Sequence, residues 1–142
     1  MKLYSLVNMY CSGVHAGIQT QHATVRLLRK YHSETDNSHY LISAVEEWAD
    51  RHETTVVLNG GDHYSLMEWT TQLGYWDNVP FAEFREPGLN NALTSVVLVC
   101  STEMVDDMAK IRAKEITEEE LIHKYYSLGA EILTKLAYMR TI

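Results

Sequence analysis

The sequence predicts an α/β fold, a three-layer α/β/α arrangement around a four-stranded mixed sheet, with an extra C-terminal amphipathic helix. Short apolar, β-branched segments alternate with segments of helical periodicity, which is typical of this class. One strand segment, "LTSVVLVCS", is apolar at successive positions, as expected for a central strand covered on both faces. The 142 residues, 46% of them hydrophobic, are enough for a single domain over residues 1–142 with a substantial core.

The first strand and the first helix meet at "GVHAGIQTQHAT", residues 13–24. Residues 2–10 are apolar and rich in strand formers, which predicts a strand, and small residues then predict a loop over 11–18. Helical spacing begins at residue 18 and continues to about residue 31. One face of this helix carries Ile18, His22 and Val25.

A second helix, a strand and a third helix follow. The second helix is expected to begin after an N-cap at Asn37 or Ser38 and to end near Arg51. The β-branched segment "TTVVLN" predicts a short buried strand, and Asp62 is placed to cap a helix over 63–73. The inward positions of the second helix are Leu41, Val45 and Trp48.

The second half of the chain predicts two more strands and two helices. "FAEF" and "LTSVVLVCS" predict strands joined by the turn "REPGLNNA", and a helix is expected over 103–113. A capping box of Thr117 and Glu120 opens a last helix over 117–140, which can pack on its own domain or on a second copy. Its apolar stripe consists of Leu121, Tyr125, Leu128, Ile132, Leu136 and Met139.

The composition excludes several classes. No segment reaches the ~18 apolar residues of a membrane span, so we expect no membrane partner. Cys11 and Cys100 lie in apolar runs, which predicts buried free thiols and a reducing, cytoplasmic setting. The histidines form no tight ligand pair, so we expect no metal and no other cofactor. The net charge of −7 disfavours a mainly electrostatic nucleic-acid binder, although Arg26, Arg29 and Lys30 form a local basic segment.

Two turns are candidate ligand loops, because ligands bind at the carboxyl ends of strands in open α/β sheets. These turns are residues 11–18 and 59–63. Behind the first, Gln19 and His22 can orient a carbonyl or a phosphate, or can serve as structural hydrogen-bonding groups. The glycine pair of the second lets the backbone approach a ligand, although a tight strand-to-helix turn explains the pair equally well.

The residues from Gln19 to Ala23 form the pattern Q-x-x-H-A, with Gly17 just before it. Together with "REPGLNNALTSVVLV" and the order of elements over residues 2–110, this pattern resembles the archaeal and eukaryotic type of peptidyl-tRNA hydrolase, the type 2 family. The resemblance implies a family-like core over residues 1–113, action on tRNA and a homodimer. The last helix lies beyond the family's usual end.

Two departures from the family pattern concern the site. The family's lysine, four residues before the motif glutamine, is replaced by His15, which supplies a positive charge only when protonated. The family's D-A-G-x-T segment aligns with the residues from Glu86 to Asn90, so that the acid is glutamate here and the threonine is replaced by asparagine.

Two functions are therefore compatible with the sequence. The first is hydrolysis of peptidyl-tRNA or a related ester; the second is binding of a small ligand or a protein partner, without turnover, in a retained cleft or through the last helix. The catalytic set of the first function is His15, Gln19, His22, Glu86 and Asn90. The accompanying substrate-binding set is Gly17, Arg26, Asn59, Gly60, Gly61 and Thr94.

Overall fold

The protein is an α/β fold on a four-stranded mixed sheet, and the computed structural model describes all 142 residues. The strands are β1 (Lys2–Asn8), β2 (Thr55–Gly61), β3 (Phe81–Glu86) and β4 (Ala92–Cys100). The helices are α1 (Val14–Lys30), α2 (His39–Glu47), α3 (His63–Trp76), α4 (Thr102–Ala113) and α5 (Glu118–Ala137). The order of strands and helices along the chain is the one the sequence predicts.

The strand order in the sheet is β2-β1-β4-β3. β1 runs parallel to β2 and antiparallel to β4, and β3 is antiparallel to β4. β1, β2 and β3 therefore point the same way, and their carboxyl ends share one edge of the sheet with the start of β4. That edge is where an open α/β sheet offers a ligand site.

The sheet is covered on both faces, as predicted. Because side chains alternate along a strand, β4 contributes Val97 and Val99 to one hydrophobic cluster, and Leu98 and Cys100 to the other. Helices α1 and α2 pack on the first cluster, whereas α3, α4 and α5 pack on the second. The prediction that β4 is a central strand is confirmed.

Helix α1 begins earlier than the sequence predicts. Gly13, with a φ of 57°, precedes the first helical residue, Val14, so that His15 and Gly17 belong to the first helical turns and not to a loop. The face carrying Ile18, His22 and Val25 is exposed to solvent. The small or polar residues Ala16, Gln19, Thr20 and Ala23 face the sheet instead, which allows close approach, and Leu27 completes the buried face.

The predicted helix caps agree with the structure. Ser38, one of the two expected candidates, accepts a hydrogen bond from the backbone of Leu41, and Asp62 accepts one from the backbone of Ser65. At the start of α5, the Thr117 hydroxyl accepts from the backbone of Glu120, completing the capping box. Cys11 and Cys100 are buried and unpaired, as expected.

Helix α5 is interrupted at Tyr126, where the backbone takes the non-helical angles φ 63° and ψ 176°. The C-terminal helix that the sequence predicts over 117–140 is present as Glu118–Ala137, and this interruption is the one feature that the periodicity does not predict. The apolar stripe on both parts is buried or half-buried against the second cluster, so this helix packs on its own sheet. A close approach to α3 helps to seat it, because a Cβ at Gly129 would lie 2.6 Å from the indole nitrogen of Trp76.

The C-terminal tail covers the outer edge of β2. The backbone of Asn59 donates to the carbonyl of Arg140, and the backbone of Ile142 donates to the carbonyl of Val57. Edge strands carry unpaired backbone groups that invite aggregation, and this pairing satisfies several of them. No helix in the structure is both long and apolar enough to cross a bilayer.

Candidate active site

A polar cluster lies at the carboxyl edge of the sheet, between the N-terminal turns of α1, the end of β3 and the start of β4. Gln19 is at its centre and is only 1% exposed. Its side-chain nitrogen donates to Glu86 Oε2 over 3.0 Å, and its side-chain oxygen accepts from Thr94 Oγ1 over 2.6 Å. The same nitrogen lies 3.2 Å from His15 Nε2. Four of the residues selected from the sequence thus form one network.

The orientation of the Gln19 amide follows from its neighbours. A flipped amide would place its oxygen against the Glu86 carboxylate, which is repulsive, and would leave that carboxylate without a donor. Because Thr94 donates to the amide oxygen, the nitrogen is directed towards Glu86 and His15. The amide therefore acts as a fixed donor towards both side chains.

Thr94 reaches this cluster because of an irregularity in the sheet. The pairing between β3 and β4 shifts after Phe84, so that Ser95 pairs with Phe84 and Leu93 with Arg85, and Thr94 has no partner. Ordinary alternation would direct Thr94 and Ser95 to opposite faces. The bulge instead re-aims Thr94 towards α1, which is a common use of bulges beside functional sites.

Glu86 is held as a carboxylate. The pKa of Glu86 is lowered first by the hydrogen bond from the Gln19 side chain and next by the backbone N–H of Gly88. Partial desolvation opposes this effect, and the neighbouring His22 and His15 rings lower the pKa of Glu86 further when they are protonated. At neutral pH the group is thus ionised and able to accept a proton.

The contact between His15 and Gln19 defines the role of the imidazole. Since the Gln19 nitrogen can only donate, His15 Nε2 acts as the acceptor in this contact. The proton of the neutral ring then resides on Nδ1, which leaves that nitrogen free as a donor. In this arrangement the neutral His15 ring can donate a hydrogen bond through Nδ1.

His22 and Arg26 lie beside the cluster on the exposed side of α1. The His22 ring stacks on Phe84 with 4.5 Å between ring centroids, and the Arg26 guanidinium carbon lies 5.5 Å from the same ring centroid. Further along, Lys30 Nζ lies 4.3 Å from the ring centroid of Phe81. A surface of interleaved cations and aromatic rings therefore extends from the cluster along the β3 edge.

A second polar layer lies beneath the cluster. Ser5 Oγ is 2.8 Å from Thr20 Oγ1 and 3.1 Å from Ser95 Oγ, and all three side chains are buried. These bonds join α1 to β1 and β4 one residue away from Gln19 and Thr94. They fix the rotation of α1 and so the direction in which Gln19 projects.

The end of β2 does not join the cluster, and its residues Asn59, Gly60 and Gly61 belong to the strand and not to the loop predicted over 59–63. The Asn59 side chain accepts a hydrogen bond from the backbone of Gly61, and a Cβ at Gly60 would lie 2.6 Å from the Leu66 side chain. Gly61 has a φ of 82°. Packing and backbone conformation therefore account for both glycines.

Two other expected site residues also lie apart from the network. Asn90 adopts left-handed backbone angles after the short 3-10 turn Pro87–Leu89 and lies outside the Gln19 hydrogen bonds. A Cβ at Gly17 would meet no atom within 4 Å, so nothing in this structure requires glycine there.

Phe84 and the buried hydroxyls were not singled out from the sequence. Alternation along β3 could have revealed Phe84, since it lies two residues before Glu86 and shares its face. The Ser5 layer has no comparable signal, because single hydroxyls in apolar strands are common. No group of three or more His, Cys, Asp or Glu side chains is arranged to hold a metal ion.

No protein-family model and no curated protein matches this sequence. The resemblance to peptidyl-tRNA hydrolases therefore stays a prediction.

Proposed function

We propose that the protein hydrolyses the ester bond of peptidyl-tRNA or of a closely related RNA ester. The observation that carries this proposal is the single amide of Gln19, which holds the Glu86 carboxylate and the His15 imidazole on adjacent sides of one point. A proton acceptor and a proton donor fixed side by side are what ester hydrolysis by water requires.

The reaction assigns a distinct task to each group. Glu86 accepts a proton from a water molecule as that water attacks the ester carbonyl carbon. His15 Nδ1–H donates a hydrogen bond to the oxygen on which negative charge develops. When the tetrahedral intermediate collapses, the bond to the ribose oxygen breaks, and that oxygen takes up the proton that Glu86 accepted from the water, which returns Glu86 to its carboxylate form. Gln19 and Thr94 touch no reacting atom in this scheme and act as positioning residues.

The surface beside the cluster supports RNA as the bulk of the substrate. Cationic side chains neutralise phosphates, and aromatic or imidazole rings stack on unpaired bases. Arg26, Lys30 and His22 supply these groups along the β3 edge, within a chain whose net charge is −7. A local surface of this kind lets an acidic protein bind one end of an RNA without general affinity for nucleic acid.

The test is release of labelled peptide from peptidyl-tRNA by the purified chain, with His15→Ala and His22→Ala measured in parallel. We expect His15→Ala to lower kcat and His22→Ala mainly to raise KM. Arg29→Ala is a matched control, because it removes a charge from α1 on a residue that contacts neither Glu86 nor Phe84. No release by the folded wild type at high enzyme concentration would refute the proposal.

A second candidate, ligand binding without turnover, is favoured by one observation. His15 accepts a hydrogen bond from Gln19 and so provides no fixed positive charge beside Glu86. If tRNA or peptidyl-tRNA binds saturably and His22→Ala weakens that binding, while no peptide is released, the cleft is a binding site only.

A further inference from the structure

A second polar pocket lies on the other side of the turn that carries Glu86. It is an open depression of about 440 Å³, lined by His63, Arg85, Leu89, Asn90, Asn91 and Ala92. Successive residues of β3 point to opposite faces, so Glu86 projects towards α1, whereas Arg85 projects towards the start of α3. The turn after Glu86 thus separates this pocket from the Gln19 cluster.

His63 presents a defined hydrogen-bond donor to this pocket. The backbone N–H of Leu93 donates to His63 Nδ1 over 3.0 Å. A neutral imidazole whose Nδ1 accepts must carry its proton on Nε2. The tautomer is therefore fixed by the first residues of β4, and the remaining N–H is free to bind a ligand.

Arg85 adds a positive charge that is only weakly neutralised. Its nearest carboxylate, Glu83, lies 3.8 Å away, and both side chains are more than a third exposed. Exposed ion pairs of this length contribute little. A guanidinium group in such a setting keeps its capacity for paired hydrogen bonds to an oxyanion.

The remaining lining completes a donor-rich pocket without acid. Asn90 and Asn91 both have left-handed backbone angles, φ 54° and 62°, and both residues line the pocket together with Arg85 and His63. No Asp or Glu lines the pocket, although the chain carries 19 acidic residues. Leu89 is 47% exposed and offers one apolar surface. The volume falls within the range of small-ligand sites and exceeds that of a lone phosphate.

We propose that this pocket binds the phosphate group of a nucleotide, with Arg85 and His63 Nε2–H on the phosphate oxygens. The Asn90 and Asn91 amides and Leu89 contact the attached nucleoside. The nucleotide is either free or the terminal unit of an RNA strand. The second source rests on the proposed hydrolase function and would place a substrate phosphate across the 86–91 turn from the reacting ester.

The test is a titration of the full chain with adenosine 5′-monophosphate, followed by backbone amide NMR shifts. We expect saturable shifts at residues 85–93 with the monophosphate and none with adenosine. Arg85→Gln and His63→Asn should each weaken binding about tenfold or more. The asparagine oxygen still accepts from the Leu93 N–H, so His63→Asn keeps this hydrogen bond and removes the Nε2–H donor, whose position the shorter amide does not reach. Arg51→Gln, which removes an exposed charge elsewhere, should leave binding unchanged.

A short single-stranded RNA distinguishes the two sources. Tighter binding of the RNA than of the monophosphate, with the same loss in Arg85→Gln, assigns the pocket to the end of a strand. Tighter binding of the monophosphate assigns it to a free nucleotide. Absence of saturable shifts with either probe, or equal weakening by Arg51→Gln, would overturn the proposal.

The experiments test the nucleotide pocket and the proposed hydrolase function separately. If nucleotide binding depends on Arg85 and no peptide is released, the proposed nucleotide pocket stands and the proposed hydrolase function is refuted. If peptide is released with an unchanged KM in Arg85→Gln and no nucleotide binds, the hydrolase function stands and the proposed nucleotide pocket is refuted.

Discussion

At the scale of single residues, Gln19 is the main influence on the pKa of Glu86 in the candidate site. Because its hydrogen bond is the largest cause of the lowered pKa of Glu86, Gln19→Leu should raise that pKa towards its ordinary value. Carbon-13 NMR titration of the Glu86 carboxyl carbon measures this directly, without any substrate. Thr24→Val is the control, since the Thr24 hydroxyl bonds only to the carbonyl of Thr20 on the same helix. An unchanged pKa in Gln19→Leu would contradict the assigned amide geometry.

Tyr126 is the second residue with a distinct physical prediction. Its backbone angles belong to a region that only glycine occupies without strain, and such strain costs roughly 1–3 kcal/mol. Glycine loses more entropy on folding, so Tyr126→Gly should stabilise the protein by a net of about 1 kcal/mol. Urea denaturation tests this, with Tyr40→Gly on the exposed face of α2 expected to destabilise by roughly 0.5 kcal/mol. Equal destabilisation by both changes would show that Tyr126 is unstrained.

Sequence patterns locate some site residues well and others poorly. His15 and Gln19 follow from their place at the start of a helix at the ligand-binding edge, whereas Glu86 follows from the alignment with the family's acidic segment; the structure brings all three together. The place of Thr94 against Gln19 depends on a sheet bulge, for which the sequence carries no signal. Asn90 and the Asn59–Gly61 segment were chosen by alignment or by glycine content, and their backbone requirements explain them without the Gln19 network.

At the scale of elements, Asp107 joins α4 to α5. Its carboxylate, 1% exposed, accepts from Lys124 Nζ and from the Tyr125 hydroxyl, each over 2.6 Å. Burial alone would raise the pKa of Asp107, but these hydrogen bonds and the Lys124 charge together hold it below the usual range. The same arrangement raises the pKa of Tyr125, by burial first and by the Asp107 bond second.

The prediction from this junction concerns stability and pH. Asp107→Asn should lower the free energy of unfolding by about 2 kcal/mol at pH 7. Since the folded pKa is depressed, the stabilising effect is present above the unfolded pKa of about 3.9 and disappears as pH falls through the folded value. Urea denaturation from pH 7 to pH 2 should thus show the wild type converging on the variant. Asp106→Asn, on the exposed face of α4, should have little effect, and a pH-independent difference for Asp107→Asn would contradict the ion pair.

Gly60 in β2 and Gly17 in α1 differ in the space available for an added Cβ. At Gly60 an added Cβ would lie 2.6 Å from the Leu66 side chain and 3.0 Å from the Leu6 backbone, so Gly60→Ala should cost about 2 kcal/mol. At Gly17 the added methyl meets nothing and improves helix propensity, so Gly17→Ala should stabilise by up to ~1 kcal/mol. Thermal denaturation compares the two, and a loss of stability in Gly17→Ala would contradict the early start of α1.

The sequence predicts the order and type of the helices and strands, but it predicts the residues at which they begin, end or break less accurately. The small residues from Gly13 to Gly17 resemble a loop in the sequence, yet Ala16 packs with Val7 and Cys11, and this contact extends α1 backwards. No Gly or Pro occupies the position of the break at Tyr126, so the sequence does not predict it. Helical spacing therefore identified the buried stripe of α5 correctly and missed its interruption.

At the scale of the whole molecule, the sheet topology decides where chemistry is possible. Three strands end at one edge, and each of the helices α1 and α3 begins there, so both polar pockets flank the same turn after β3. The burial of the α5 stripe removes the surface on which a dimer was first expected. A homodimer stays a prediction without a structurally assigned interface.

The most direct test of the central claim is the pH dependence of peptide release from peptidyl-tRNA in single turnovers, for the wild type and Glu86→Gln. For the wild type we expect the single-turnover rate to be constant at neutral pH and to fall only at acidic pH, where the pH drops below the lowered pKa of Glu86. Glu86→Gln should reduce the rate by about 10²–10⁴-fold. Release by Glu86→Gln at the wild-type rate, with the same pH profile, would contradict the role of this carboxylate and with it the proposed site.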